Sequence, residues 1–586
     1  MGSLPYEDGA AFRLWAPHAA SVVVTGSFNG WQLAGAAMDH EGGGYWYANV
    51  PGVKRGDEYK YVITTVDGAR LWRTDPYAQA MTGSHGNSLV VSSDHAWGTA
   101  PYRSPDWDEL VVYELHIGTF NDLPGGGPGT FTDAIERLPY LAKLGINAIE
   151  LMPAAEFPGS SWGYNPSAPF AVETDFGGPR ALKTLVNAAH DLGIAVLFDV
   201  VYNHLGPTDL DLWRFDGWYE NDGGGIYFYN DGRAWTPWGD TRPDYGRPEV
   251  RQYLRDNALH WLEEYRLDGL RWDATSYIRS TGRGVELADG WGLMRWINDE
   301  IDRRQPWKLS IAEDMANDAR ITDATPGGAG FDAQWDDGFV RPVRAALTVP
   351  DDRSRDMRSV CDAIEHRYDN DAFHRIQYLE SHDASGDLSG NVRLPEAIWP
   401  HNADSWYAKK RATLGSVLVL TSPGIPMLFQ GQEFLADGTF DDRNPLDWTR
   451  EDRYTGIVRL HRDLIALRRN RTDRTAGLRG QDTVVHHVNN TDKVIAFHRY
   501  AHAGPRDSTV ILANFGNRAY CDYLLGLPRH GTWRIRFNSD WSGYDPTFSN
   551  HPAFDLSADG PSRDGMPCSG AVGLGPYSAI IMSQDE

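Results

Sequence analysis

Three cysteines in 586 residues, Cys361, Cys521 and Cys568, are too few for a disulfide framework, and none shows CxxC metal spacing. No apolar run is long enough to span a bilayer, so no membrane association is expected. Cations are scarce as well: 55 Lys and Arg stand against 80 Asp and Glu, a formal net charge of -25. A field of that sign repels phosphate backbones, which excludes nucleic acid as an expected partner and is compatible with a neutral ligand. The opening residues Met1-Gly2-Ser3-Leu4-Pro5 carry no charged region followed by an apolar one. A cytoplasmic, reduced protein is therefore expected.

Aromatic residues, in contrast, are abundant, with 22 Trp and 27 Tyr. Their flat faces suit the apolar faces of sugar rings, and they also fill cores. The length exceeds what one hydrophobic core supports, so two to four domains are expected. Residues 1 to 105 show short β-rich runs, such as Phe12–Trp15, Ser21–Val24, Tyr45–Val50 and Tyr59–Ile63. Turn clusters separate them, which predicts an N-terminal β-sandwich. From residue 106 to 478 apolar strands alternate with helical stripes. The strand candidates begin at Val111, Asn147, Ile194, Leu267, Lys308, Phe331, Arg375 and Ile425. Eight strand–helix units predict an α/β fold closed as a (β/α)8 barrel. A Gly-, Trp- and Tyr-rich insertion, about 205–248, interrupts the rhythm after the third strand. Strands without helices return over 479–586 and predict a C-terminal β-sandwich.

A parallel barrel places its site at the C-terminal ends of its strands. Here the third strand ends in Asp199, with Asn203 and His204 just beyond. The fourth ends in Asp273, with Arg271 two residues earlier and so on the same face. The fifth ends in Glu313, and the seventh leads into His382 and Asp383. Several acids on one rim repel each other, so their convergence is a chemical signal. Glycoside cleavage needs such a pair, one carboxylate as nucleophile and one carboxylic acid to protonate the leaving oxygen.

Four segments in order, Asp199–His204, Gly269–Ala274, Ile311–Asp314 and Glu380–Asp383, resemble the signature regions of the α-amylase superfamily, glycoside hydrolase family 13. The resemblance implies Asp273 as nucleophile, Glu313 as general acid then base, and Asp383 as a binder of substrate hydroxyls. It implies that Arg271 keeps Asp273 ionised and that His204 and His382 hydrogen-bond the reacting sugar, with Asp199 and Asn203 supporting the site. Trp162-Gly163-Tyr164-Asn165-Pro166 resembles the loop whose tyrosine stacks under that sugar, which implies Tyr164. Trp235-Thr236-Pro237-Trp238 either lines outer subsites or packs the insertion.

Gly26-Ser27-Phe28-Asn29-Gly30-Trp31, Asp57-Glu58-Tyr59-Lys60-Tyr61 and Asp75-Pro76-Tyr77-Ala78 resemble the sandwich module of branching and debranching enzymes, so the N-terminal domain looks like a carbohydrate-binding module. Tyr113-Glu114-Leu115-His116 and Glu150-Leu151-Met152-Pro153 are similar to glycogen branching enzymes and to maltooligosyltrehalose trehalohydrolases alike. Leu428–Phe434 leans towards the branching enzymes. Ala384, where branching enzymes carry Glu, departs from them, as does Asp314 in place of a second Glu. The loop Asn203–Pro207 is at least as close to the trehalohydrolases. The resemblance implies an α-glucan or maltooligosaccharide substrate and a branching, α-1,6-forming transglycosylase. The alternatives are a hydrolase, amylase-like or acting on maltooligosyl trehalose, and a non-catalytic glucan-binding protein. No cofactor or metal is expected. Asp209, Asp211 and Asp216 lack EF-hand spacing and read as a solvated loop.

Overall fold

The computed structural model describes residues 1–98, 102–122, 126–206 and 210–586. Its centre is a closed barrel of eight parallel strands: β1 (Val112–Leu115), β2 (Ala148–Leu151), β3 (Ala195–Val200), β4 (Gly269–Trp272), β5 (Leu309–Ala312), β6 (Ala333–Trp335), β7 (Arg375–Gln377) and β8 (Ile425–Phe429). The order is sequential, and β8 pairs back onto β1. Such strands are covered on both faces, which explains their near-continuous apolar sequence.

Several connecting helices show one buried stripe, whereas Trp406–Thr421 is buried on all sides from Ala408 onward. In the helix Phe131–Leu144 the buried residues are Phe131, Ala134, Leu138, Leu141 and Leu144. Thr130 and Asp133 form a reciprocal capping box at its start. Gly145 ends it in a left-handed conformation, φ 106°, where an added Cβ would lie 2.8 Å from Ile465. Helices Gly178–Asp191 and Pro248–Glu264 bury the apolar positions that the sequence periodicity marks. No helix among the described residues is long and apolar enough to cross a membrane.

Before the barrel lie two antiparallel sheets. One orders Gly2–Tyr6, Gly9–Trp15, Tyr45–Pro51 and Asp39–Gly42; the other centres on Glu58–Thr65, flanked by Ala19–Gly26 and Arg70–Arg73. Two of the quoted motifs meet inside this sandwich. The Tyr59 and Tyr61 hydroxyls both donate to Asp75 Oδ2, at 2.7 and 3.1 Å, which satisfies a fully buried carboxyl.

The insertion after β3 reaches back onto this sandwich. Asp216 Oδ2 accepts from the His18 backbone N at 3.0 Å and lies 2.9 Å from its Nδ1. Asp211 accepts from Thr74 N at 2.7 Å, and Arg73 donates to the Phe215 and Arg214 carbonyls. Asp211 and Asp216 are therefore not solvated loop acids, as expected from their spacing; they are committed to the sandwich. Asp209 lies outside the described residues.

After the barrel, a six-stranded sheet with Asp482–Asn489 at one edge, Leu556–Ser557 at the other and Ser578–Ser583 inside it faces the pair Tyr520–Leu527 and Cys568–Leu574. Leu512, Leu525, Trp533, Val572 and Ile580 fill the space between them. The helix Trp406–Thr421 docks this sandwich to the barrel. Lys410 Nζ lies 2.7 Å from Asp540 Oδ1, with neither side chain exposed, and Lys409 lies 2.8 Å from Asp545. Burial pushes the Lys410 ammonium down to about 8 against the pull of Asp540. Removing one partner of such a pair leaves an uncompensated buried charge. Asp540→Ala should cost about 3–5 kcal/mol in denaturant unfolding. A loss below about 1 kcal/mol would show that docking does not depend on this pair.

Candidate active site at the barrel rim

Strand register builds the site. In the pairing of β3 with β4, Asp199 lies directly opposite Arg271. Asp273 and Glu313 are the first residues beyond β4 and β5, so both clear the strand ends. Asp199 sits one position inside β3 rather than at its end, which places it beneath the other carboxylates.

The Arg271 guanidinium, with 0% of its side chain exposed, joins all three acids. Its Nη1 lies 2.7 Å from Asp199 Oδ2 and 3.0 Å from Asp273 Oδ1, and its Nη2 lies 2.6 Å from Glu313 Oε2. The Trp335 ring, with its centroid 4.4 Å away, lies against the guanidinium. Asn203 Nδ2 donates to the other Asp273 oxygen, Oδ2, at 2.6 Å and to its carbonyl at 2.9 Å. Both oxygens of Asp273 are thereby held in place. Ala274, in a left-handed conformation with φ 40°, aims its N–H at Glu313 Oε2, 3.0 Å away.

The acids differ electrostatically. Burial pushes the Glu313 carboxyl up to about 8 against the pull of Arg271, with Asp273 and Asp383 adding to the rise. Burial likewise pushes Asp199 up to about 7, although Arg271 opposes it. Asp383 stands apart at the mouth of the cleft, its side chain 43% exposed. Desolvation acts upward there, but the adjacent His382 and a 2.8 Å hydrogen bond from Ser389 Oγ leave the carboxyl below its ordinary value.

His382 lies between two acids. Its Nδ1 is 2.5 Å from Glu114 Oε1, its backbone N donates to Glu114 Oε2 at 3.1 Å, and its Nε2 is 3.7 Å from Asp383. Burial alone would push the imidazole down; Asp383 and Glu114 override it and lift it up to about 9. Tyr164 stacks on this ring with centroids 5.1 Å apart and donates to Asp199 at 2.7 Å. Tyr164, Arg271, His382, Asp199, Asp273, Glu313 and Asp383 are thus brought together around one cleft.

His204 is placed differently from the expectation of a sugar contact. It is fully buried, its Nδ1 meets Asn203 Oδ1, and its Nε2 lies 3.3 Å from Asn165 Oδ1. Burial pushes it down to about 4, so it is a neutral strut behind Asn203. Trp238, 44% exposed, stacks on it at 5.0 Å and borders the cleft, whereas Trp235 lies under Arg283 within the insertion. Asp314 accepts two 2.8 Å hydrogen bonds from Arg279 and one from Thr275, so it ties β5 to the segment after β4.

Three residues of this assembly were not singled out as functional from the sequence. Glu114 and Glu150 are register partners across β1 and β2, and both are buried in the barrel. Burial, with Glu114 beside it, raises the Glu150 carboxyl well above its ordinary value. Trp335 supplies the face beside Arg271. The available signal was a charged residue inside each of two otherwise apolar strands, which a barrel interior does not tolerate without a partner.

Comparisons with known proteins agree with this architecture. Residues 1–78 match the model of carbohydrate-binding module 48 (isoamylase N-terminal domain). Residues 115–214 match the alpha amylase catalytic domain, and residues 484–585 its C-terminal all-beta domain. A 1,4-alpha-glucan branching enzyme of Marinobacter nauticus is 30% identical over 98% of this chain and 94% of its own. A malto-oligosyltrehalose trehalohydrolase of Saccharolobus solfataricus is 32% identical over 74% of this chain and 75% of its own. Among solved structures, type I pullulanase from Bacillus subtilis with maltose superposes with a TM-score of 0.78 at 20% identity, covering 100% of this chain and 85% of that one. Pullulanase from Anoxybacillus with maltotetraose gives 0.76 at 21% identity, covering 100% and 87%. With the three family models matched in order and a relative 30% identical over nearly the whole of both chains, this chain belongs to the α-amylase family of glycoside hydrolases and transglycosylases.

Proposed function

We propose that this enzyme cleaves α-1,4-glucosidic bonds with retention and passes the glycosyl unit to a sugar 6-hydroxyl, forming α-1,6 branches in an α-1,4-glucan. The observation that carries the chemistry is the sharing of Arg271 between Asp273 and Glu313. One cation cannot keep every acid around it ionised, so the buried Glu313 retains a proton beside the Asp273 carboxylate.

The steps follow. Asp273 attacks the anomeric carbon while the bond to the leaving oxygen breaks, and Glu313 gives that oxygen its proton. A covalent glycosyl-enzyme results. Glu313, now a carboxylate, takes the proton of the acceptor hydroxyl as its oxygen displaces Asp273. His382, held charged by Glu114, and Asp383 offer a donor and an acceptor to the ring hydroxyls. Tyr164 offers its face below the ring.

The likeness to branching enzymes over nearly the whole of both chains supports the sugar acceptor. A hydrolytic reading has its own support. Ala384 stands where branching enzymes carry Glu, and Asn203–Gly206 resemble trehalohydrolases; Pro207 lies outside the described residues. A glucan-binding protein without catalysis has no use for a nucleophile fixed by Arg271 and Asn203.

Amylose incubated with the enzyme should lose iodine colour and gain α-1,6 anomeric proton signals while reducing ends stay flat, with Asp273→Asn as blank. Rising reducing ends without new α-1,6 signals would replace branching by hydrolysis. The pH profile tests the acid. Glu313 must carry its proton, so kcat/KM should fall as pH rises through about 8; a profile flat to strongly alkaline pH would remove Glu313 from the role. Arg271→Lys keeps one charge but cannot span Asp199, Asp273 and Glu313 together. It should lower kcat by about 10²-fold or more, and near-normal turnover would show that the bridging geometry is dispensable.

A further inference from the structure

A cavity of about 660 Å³ opens on the flank of the barrel, where the helix Trp406–Thr421 meets the C-terminal sandwich. One wall is aromatic. Trp399, 42% exposed, stacks on Tyr407 with centroids 5.1 Å apart and planes 14° from parallel. Tyr407 in turn meets Tyr577 edge-on at 6.1 Å. Tyr577 is fixed from behind: its hydroxyl donates to Asp352 at 2.6 Å, and its φ of 42° puts a non-glycine residue in the left-handed region. The Tyr407–Tyr577 corner is therefore prearranged, and one face of Trp399 is left uncovered.

Besides Pro350, Ile398 and Pro400, the remaining lining is polar and balanced in sign. Asp351, Arg353 and Asn517 are exposed at the rim. Arg411, only 3% exposed, lies close to both tyrosine rings. Among the described residues only its Nη1 is hydrogen-bonded, to the Leu347 and Val349 carbonyls, and its Nε is buried without a partner. Opposite charges at the rim favour neither a phosphate nor a cation. A flat aromatic face with donors and acceptors around it suits a neutral polyhydroxylated ring.

We propose that this cavity is a second α-glucan-binding site, with Trp399 as its stacking platform; the proposal rests on the α-glucan reading above. Its place along the chain supports it. Ser389 and Asn391 hold Asp383, by a 2.8 Å bond to its carboxylate and a 2.8 Å bond to its carbonyl. The short helix Leu394–Ile398 then leads to Trp399. Eight residues after Asn391, Trp399 lies within about 28 Å of it. A glucan chain held there raises the local concentration of neighbouring chain segments at the cleft. A ligand too short to bridge the two sites gains nothing.

The test compares amylopectin with a short linear maltodextrin in the wild type, Trp399→Ala and Trp399→Phe. Trp399→Ala should lower kcat/KM on amylopectin about fivefold relative to the maltodextrin. Trp399→Phe, which keeps a ring, should restore most of that ratio. In the Asp273→Asn background, Trp399→Ala should reduce the retardation of the protein in amylopectin gels. An unchanged ratio with unchanged retardation would overturn the second site, as would an equal loss on both substrates. If the wild type transforms neither glucan, the α-glucan reading fails instead, and the two failures are told apart by that control.

Discussion

A single guanidinium without contact to water organises the cleft. Burying Arg271 carries a large desolvation penalty, which only well-placed counter-charges offset. Asp199, Asp273 and Glu313 supply them at 2.7, 3.0 and 2.6 Å. The supply exceeds one positive charge, and the excess has consequences. Burial, which Arg271 does not fully offset, together with the neighbouring acids, is why Glu313 and Asp199 rise to about 8 and about 7. The division of labour between a proton donor and an anionic nucleophile thus arises from charge count and burial. It needs no special chemistry in either side chain. Trp335 and Asn203 fix the geometry within which that count operates.

A second charge chain runs beside the first. Glu114 rises from β1 to meet His382, and His382 faces Asp383. The imidazole gains a counter-ion on each side, so it remains cationic where His204, boxed in by two asparagine amides, remains neutral. Two histidines flanking one cleft thereby take opposite charge states for reasons visible in their neighbours.

The barrel was legible because its strands are apolar runs and its helices carry apolar stripes, two periods that a sequence displays directly. Asp273, Glu313, His382 and Asp383 were legible because strand ends in a parallel barrel converge. What lay hidden depends on partners far along the chain. Glu114 is separated from His382 by 268 positions, and nothing local to β1 announces that contact. Lys409 and Lys410 are buried by acids more than a hundred residues downstream, and nothing local to their helix announces those partners. His204 sits inside a motif and was expected to reach the sugar; its burial depends on where Asn165 and Trp238 are placed by two separate loops. Asp211 and Asp216 failed as solvated acids for the same reason, since their partners belong to another domain.

That last contact changes how the chain is divided. The insertion that presents Trp238 to the cleft also grips the N-terminal sandwich through Asp211, Phe215 and Asp216. The sandwich is therefore a scaffold for one lip of the cleft as well as a module in its own right. A boundary drawn between them for exchange or excision would sever that lip from its anchor, leaving the buried Asp216 facing no partner and a tryptophan with no fixed position. Recombining such modules among relatives requires the insertion to travel with the sandwich it grips, not with the barrel from which it emerges.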